Sequence, residues 1–215
     1  MNHNSPPAYQ GKVKYSEAKA RSYQNVPEHK NRAELRLIER AFRHIPHGSV
    51  LDAPCGGGRV SQLLAGKGYQ MRAADLSEAM RAITQENFES VGLNIPVDAE
   101  DVEKLTYENL SFDTVVCFRL FHHFPNPQIR ERVVRELCRV TRRFVALSYF
   151  SPYSVTSLRR RLRAARRGRV SGKHSTSLRE VEGYFGAAGF RLVQDFARLP
   201  LIHTLHLAVF QRGNS

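Results

Sequence analysis

Between Val50 and Arg59 the chain reads VLDAPCGGGR: a short apolar strand, three consecutive glycines, and then residues suited to a helix. A glycine run in that place narrows the fold sharply. Glycine lacks a Cβ, so the backbone there can take positive φ and approach another group closely. A strand, a glycine turn and a helix open the kind of doubly wound parallel sheet whose ligands sit outside the carboxyl ends of the strands. The rest of the chain continues the alternation. An amphipathic helix is expected from Lys30 to Ile45, with Leu35, Ile38, Phe42 and Ile45 on one stripe and Pro46 ending it. Strands are expected at 49–53, 70–74, 94–97, 111–120 and 143–150, and helices at 59–65, from Ser77 to about Val91, at 127–140 and at 178–188. Two last strands, 190–199 and 205–212, have no helix between them and should pair antiparallel. The expected fold is α/β: a doubly wound, mostly parallel seven-stranded sheet, helices on both faces, and an antiparallel C-terminal edge hairpin. Residues 1–29 are expected to form a mobile N-terminal arm and lid, and 30–215 a single domain with a basic insert at about 151–177.

Composition removes several alternatives. At 215 residues, 41% hydrophobic and 25% charged, the chain can bury a real core and is not a wholly disordered segment. Its three cysteines, Cys55, Cys117 and Cys138, form no CxxC pair, which argues against a disulfide scaffold or a zinc knuckle; no metal is expected. No apolar run approaches the roughly 20 residues of a membrane span, and MNHNSPPAYQ lacks a signal-peptide core, so a cytoplasmic location is expected. The net charge of +13 is unevenly spread. Residues 1–43 carry +5, residues 44–156 carry −1, the stretch 157–173 carries +8, and 174–215 carries +1. The glycine loop therefore lies in a neutral region flanked by basic ones.

The residues around the loop discriminate between cofactors. Asp75 closes the second expected strand, 19 residues after Gly56, where a carboxylate can accept both hydroxyls of a ribose. Asp52 ends the first strand. A carboxylate there would repel a pyrophosphate, and Ser61 stands where the dinucleotide pattern wants a glycine or alanine. Both points favour S-adenosylmethionine over a nicotinamide dinucleotide.

The ordered segments LDAPCGGG, AADLS, DVEKL and SFDTVVCFRLFHHF resemble the small Rossmann-like, class I S-adenosylmethionine-dependent methyltransferases, in the manner of the ubiquinone and menaquinone C-methyltransferase group. The resemblance covers about Tyr15 to Arg212, with its specific motifs within 50–123. It implies that Asp52, Ala53, Pro54 and Gly56 to Gly58 form the methionine and ribose loop. It also implies that Asp75 with Leu76 clamps the ribose, that Asp101 with Val102 meets the adenine, and that Tyr15 in the N-terminal segment closes over the cofactor. Pro54 departs from the family's usual first glycine.

Methyl transfer from a sulfonium needs orientation, water exclusion and, for a hydroxyl or carbon acid, a base. His122 and His123, in the loop after the fourth strand, are candidate bases, or else cap and pack the next helix. Arg119, at the apolar end of that strand, should pair with a substrate anion or with a structural acid such as Asp113. The insert SLRRRLRAARRGRVSGK holds a potential amphipathic helix from Val155 to Arg167, with Val155, Leu158, Leu162 and Ala165 on one stripe and arginines on the other face. Its arginines, Arg159, Arg160 and Arg163 among them, are read as a solvated face, as a docking surface for an anionic amphiphile or membrane, or as an RNA-phosphate contact. CFRLFHHF is also similar to methyltransferase domains linked to bacterial envelope glycolipid kinases. The expected function is methylation of an O, N or C atom of an anionic small molecule, free or lipid-linked, with peripheral contact at the inner face of a membrane. The alternatives are an RNA methyltransferase and a non-catalytic adapter on the same fold.

Overall fold

The computed structural model describes residues 27–166 and 173–213. Helix α1 (Glu28–Phe42) precedes strand β1 (Ser49–Asp52); α2 (Arg59–Ala65) leads to β2 (Gln70–Asp75), and α3 (Glu78–Glu89) to β3 (Val97–Ala99). Strand β4 (Phe112–Cys117) is followed by a 3-10 turn over Phe121–His123, α4 (Pro127–Val140), β5 (Thr141–Phe150) and α5 (Val155–Arg166). Helix α6 (Leu178–Ala187) then precedes β6 (Phe190–Ala197) and β7 (Leu205–Arg212). Most boundaries follow local chemistry. The side chains of Ser77, Asn126 and Ser177 each accept a backbone N–H at the start of α3, α4 and α6, and Pro127 takes the first position of α4, where no N–H is needed.

The seven strands lie in the order β3-β2-β1-β4-β5-β7-β6. β1 through β5 pair in parallel, whereas β7 runs antiparallel between β5 and β6. The expected architecture is the observed one, with β6 as the outer strand of the hairpin. Strand order reverses between β1 and β4, which sets a crevice at their carboxyl ends. Side-chain alternation fills both faces. Val115, Val145 and Ala208 pack under α4 and α6 with Val133, Leu137 and Phe185, whereas their neighbours Val116, Ala146 and Val209 pack under α1 and α2 with Ile38, Phe42 and Leu64.

Three expectations shift. The third strand begins at Val97 rather than Asn94, because Pro96 has no N–H for the ladder and only its carbonyl joins, accepting from the Ala73 N–H at 2.9 Å. α1 starts at Glu28, inside the range read as arm, and the arm's residues 1–26 lie outside the described residues. The buried stripe of α1 is Glu34, Leu37, Ile38, Ala41 and Phe42, one step round from the expected stripe, so a carboxylate rather than Leu35 faces inward at its upper end.

The glycine loop shows why the fold needs glycine there. Gly58 has φ +77, and a Cβ on it would lie 2.5 Å from Cε1 of Phe88 in α3. Gly56 has φ +54, but its missing Cβ would meet no atom within 4 Å. Left-handed backbone costs a non-glycine residue about 1–2 kcal/mol, and overpacking adds about 1–3 kcal/mol. Gly58→Ala should therefore lose at least about 2 kcal/mol in urea denaturation, and Gly56→Ala only the backbone share of about 1 kcal/mol; equal losses would contradict the packing of Phe88 under the loop.

Candidate functional site

The crevice between β1 and β4 has an acidic side and a basic side. On the acidic side, Asp75 holds the loop in shape. Its Oδ2 accepts the Gly56 N–H at 3.1 Å, and its Oδ1 accepts the Ser77 N–H at 2.9 Å. Each oxygen keeps a further lone pair, as a ribose clamp requires. The loop carbonyls are tied downward to α3: Thr84 Oγ1 donates to Gly56 O, and Asn87 Nδ2 donates to Gly57 O at 2.9 Å. The Ala53–Pro54 peptide is cis. Cys55 is buried in the loop, and burial, followed by the charges of Asp52 and Asp75, pushes its thiol well above the usual range, so it packs and does not attack.

Asp52 is 1% exposed. Ser61 Oγ donates to its Oδ2 at 2.7 Å, and Oδ1 has no protein partner. Burial raises its pKa to about 7, opposed by the Ser61 hydrogen bond and assisted by the nearby Asp75 charge. A buried carboxylate with an orphaned oxygen lacks a cationic donor. An α-ammonium fits it and a pyrophosphate does not, so the chain's own residues fit S-adenosylmethionine at Asp52, Gly56 and Asp75. On the adenine side, Asp98 is already occupied by Arg72 Nε at 2.5 Å and Tyr107 Oη at 2.6 Å. Asp101 stands in a turn in which its Oδ1 accepts the Glu103 N–H at 3.0 Å, beside the buried Val102. Leu76 is 37% exposed next to the clamp. Tyr15 lies outside the described residues.

On the basic side, Arg119 follows β4 with φ 65, its N–H donating to Ser148 Oγ at 2.6 Å. Its acid is not Asp113, which accepts from Ser49 and pairs with Arg142 at the other end of the sheet. Arg119 Nη1 lies 3.4 Å from Oε1 of Glu34, and Arg59 Nη2 lies 2.5 Å from Oε2 of that same buried carboxylate. Strand direction explains the correction: Asp113 is at the start of β4 and Arg119 beyond its end. The residue missed was Glu34, whose signal was a charge on the buried stripe of α1.

Arg119 opens onto a cavity of about 430 Å³ lined by Lys30, Arg159, Arg160, Arg163 and Lys173, with Thr156, His203, Thr204 and Phe150. The Phe150 ring has the charged groups of Arg160, Arg119 and Lys173 at 5.4, 5.5 and 5.9 Å, and stacks on His122 at 3.8 Å. Burial lowers the pKa values of Lys30 and Lys173; Arg119 then pushes each further down and Glu34 pushes back. The arginines read as a potentially solvated face thus line a cavity, while Val155, Leu158 and Leu162 of α5 are exposed.

His122 and His123 differ. His122 is 1% exposed, neither ring nitrogen has a protein partner, and burial holds its pKa far below the usual imidazole range. His123 is part-buried, and burial with the charges of Lys173 and Arg119 brings its pKa down to about 4. Both rings are therefore neutral at pH 7. Among the described residues no group of three or more histidine, cysteine or acidic side chains could hold a metal, and no helix is long and apolar enough to cross a membrane.

Residues 50–143 match the family model described as a methyltransferase domain. Over that stretch the chain is similar to methyltransferase domains, and its seven-stranded sheet has the Rossmann-like fold of class I methyltransferases. Ubiquinone biosynthesis O-methyltransferase of Coxiella burnetii is 35% identical over 98 residues, which cover 46% of this chain and 42% of the relative; its counterpart from Idiomarina loihiensis is 32% identical over 104 residues, 47% and 43% of the two chains. The matched part of the methyltransferase domain thus spans less than half the length of these curated relatives, which are named for O-methylation where the motifs resembled the C-methyltransferase group. In fold, the chain is similar to magnesium protoporphyrin IX methyltransferase from Synechocystis, solved with S-adenosylhomocysteine, at a TM-score of 0.73 and 20% identity over 88% of this chain and 89% of that one. It is also similar to 1,6-didemethyltoxoflavin-N1-methyltransferase of Burkholderia thailandensis, at 0.68 and 16%, over 92% and 85%.

The pH dependence of stability tests the acidic side. The raised pKa of Asp52 means that the carboxyl stays protonated in the folded protein while it ionises in the unfolded chain. The associated stability is complete below pH about 4 and is lost as pH rises through about 7. Asp52→Asn, which keeps an acceptor for Ser61, should therefore gain on the wild type across that window, by roughly 4 kcal/mol at its upper end. Parallel urea-denaturation profiles of the two proteins from pH 4 to about 8 would contradict the burial of an uncompensated carboxylate.

Proposed function

We propose that the protein is an S-adenosylmethionine-dependent methyltransferase whose acceptor is an anionic small molecule, free or lipid-linked. The observation that carries the acceptor class is the cavity beside Arg119. Six cationic side chains line it, and the carboxylate of Glu34, already shared with Arg59, is the acid that pairs with Arg119. Such a group of charges repels itself, and an anion relieves that repulsion. Bidentate guanidinium groups suit a carboxylate or phosphate, and Phe150 offers a ring at the base.

Bound S-adenosylmethionine supplies an electrophilic methyl group on a sulfonium. The chain's own residues supply the rest. Asp75 and the Gly56 backbone orient the ribose, Asp52 receives the ammonium, and Asp101 with Val102 meets the adenine. Arg119, Arg159, Arg160 and Arg163 hold the acceptor's anionic end, which fixes the distance of its nucleophilic atom from the loop. His123 is the better placed of the two histidines to take a proton at a ring nitrogen, being neutral and less buried than His122. An anion among the surrounding cations raises its proton affinity, so acceptor binding prepares the base.

RNA is the weaker alternative. Arg159, Arg160 and Arg163 line one cavity instead of an extended track, and Phe150 at 4% exposure is not a free stacking platform. An adapter would have no use for an orphaned carboxylate next to an intact glycine loop.

Calorimetry with S-adenosylhomocysteine tests the cofactor half. Binding is expected, and Asp75→Ala should weaken it by about 1–3 kcal/mol, the scale of a lost charge-assisted hydrogen bond; absence of binding by the wild type would overturn the reading. For the acceptor half, inorganic pyrophosphate is a suitable probe. It should raise the melting temperature of the wild type and leave that of Arg159→Glu/Arg163→Glu unmoved, with S-adenosylhomocysteine affinity unchanged. Equal stabilisation of both proteins would remove the cavity as the anion site.

A further inference from the structure

Helix α5 is turned opposite to the usual rule for a surface helix. Arg159, Arg160 and Arg163 line the cavity, whereas three of its aliphatic side chains face out: Val155 is 45% exposed, Leu158 54% and Leu162 52%. The turn between β6 and β7 adds Leu199 at 50%, Leu201 at 75% and Ile202 at 57%, and Tyr153 before the helix is 72% exposed. The two segments form one surface. The N–H groups of Val155 and Thr156 donate to Leu201 O at 2.9 Å and Ile202 O at 3.1 Å, and Thr156 Oγ1 donates to Ile202 O at 2.7 Å. Seven of the eleven exposed large apolar side chains among the described residues fall here, so the patch is a concentration and not the normal scatter.

Charge selects the occupant. Residues 151–166 contain five arginines and no acid, and residues 198–204 contain Arg198 and no acid. An apolar patch bordered by cations alone matches an anionic bilayer, in which aliphatic side chains enter the acyl boundary and arginines meet the headgroups. The same two segments also line the cavity, through Thr156, Arg159 and Arg163 on one side and His203 and Thr204 on the other. We infer that the exposed face of α5 and the β6–β7 turn docks on the surface of an anionic phospholipid bilayer, with the mouth of the basic cavity held beside the headgroups. This goes beyond the proposed reaction, and its test needs no turnover.

The test is co-sedimentation of the full chain with vesicles of phosphatidylcholine containing about 30% phosphatidylglycerol, against pure phosphatidylcholine. The wild type should bind the anionic vesicles at least about tenfold more tightly than the neutral ones, the equivalent of 1.4 kcal/mol. Leu158→Asp/Leu201→Asp, which alters only exposed positions, should lose that binding while keeping its circular dichroism and its S-adenosylhomocysteine affinity. No binding by the wild type, equal binding to both vesicle types, or unchanged binding by the variant would each overturn the assignment. So would size-exclusion chromatography showing a wild-type dimer that the variant dissolves, because the face would then belong to a second copy.

Discussion

Glu34 is the carboxylate on which the geometry of the crevice depends. It is fully buried on α1, and it is shared by Arg59, the first residue of α2, and Arg119, just past the end of β4. Three elements that meet nowhere in sequence are thereby held at one point, between the glycine loop and the basic cavity. Arg59 Nη1 also donates to Asn31 Oδ1 at 2.7 Å, so α1 is tied through two side chains one turn apart. A charge buried this deeply is tolerated only with its partners in place. The interaction orients α1 against the sheet, sets Lys30 at the rim of the cavity and aims Arg119 across Phe150.

Much of the fold was legible because local and long-range signals agreed. Ser77, Asn126 and Ser177 cap helices that start where the apolar periodicity starts, and the glycine run sits where a strand must become a helix without a Cβ at Gly58. Where a local signal was weak, a boundary moved. The third strand is three residues long, has an exposed end, and is placed by the ladder with β2 rather than by its own composition. The acidic half of the site was legible for the same reason as the fold: Asp52 and Asp75 are fixed to strand ends, and strand ends were readable. The basic half was not. Its contributors come from α1, β4, β5, α5 and the β6–β7 turn, and no spacing in the chain links Lys30 to Phe150 or to His203.

The orientation of α5 shows a second limit. Periodicity identifies two faces of a helix but not which one turns inward, and the usual expectation buries the apolar stripe. Here Ser157 is fully buried, and Arg160 donates to Ser157 Oγ and Ser175 Oγ at 3.1 and 2.7 Å. Those polar anchors leave Leu158 and Leu162 in solvent. The inversion makes sense only if the inward arginines and the outward leucines both have something to meet.

Taken together, the two sides of the crevice carry opposite electrostatic demands. The acidic side holds Asp52 with an unpartnered oxygen near Asp75, and each carboxyl is pushed upward chiefly by burial. The basic side holds lysines pushed downward by burial and by one another's neighbours. Each side is destabilised when empty and relieved by a ligand of the opposite sign, and each would repel the ligand suited to the other. A cationic methyl donor and the anionic acceptor proposed for this site would thus be sorted by charge before any shape is tested. Arg119 and the pair His122 and His123 lie at the boundary, where the backbone of Arg119 is held in the left-handed region by the Ser148 contact. Strain there is maintained by the packing around it, and it holds the guanidinium over the Phe150 ring, on which the neutral imidazole of His122 stacks.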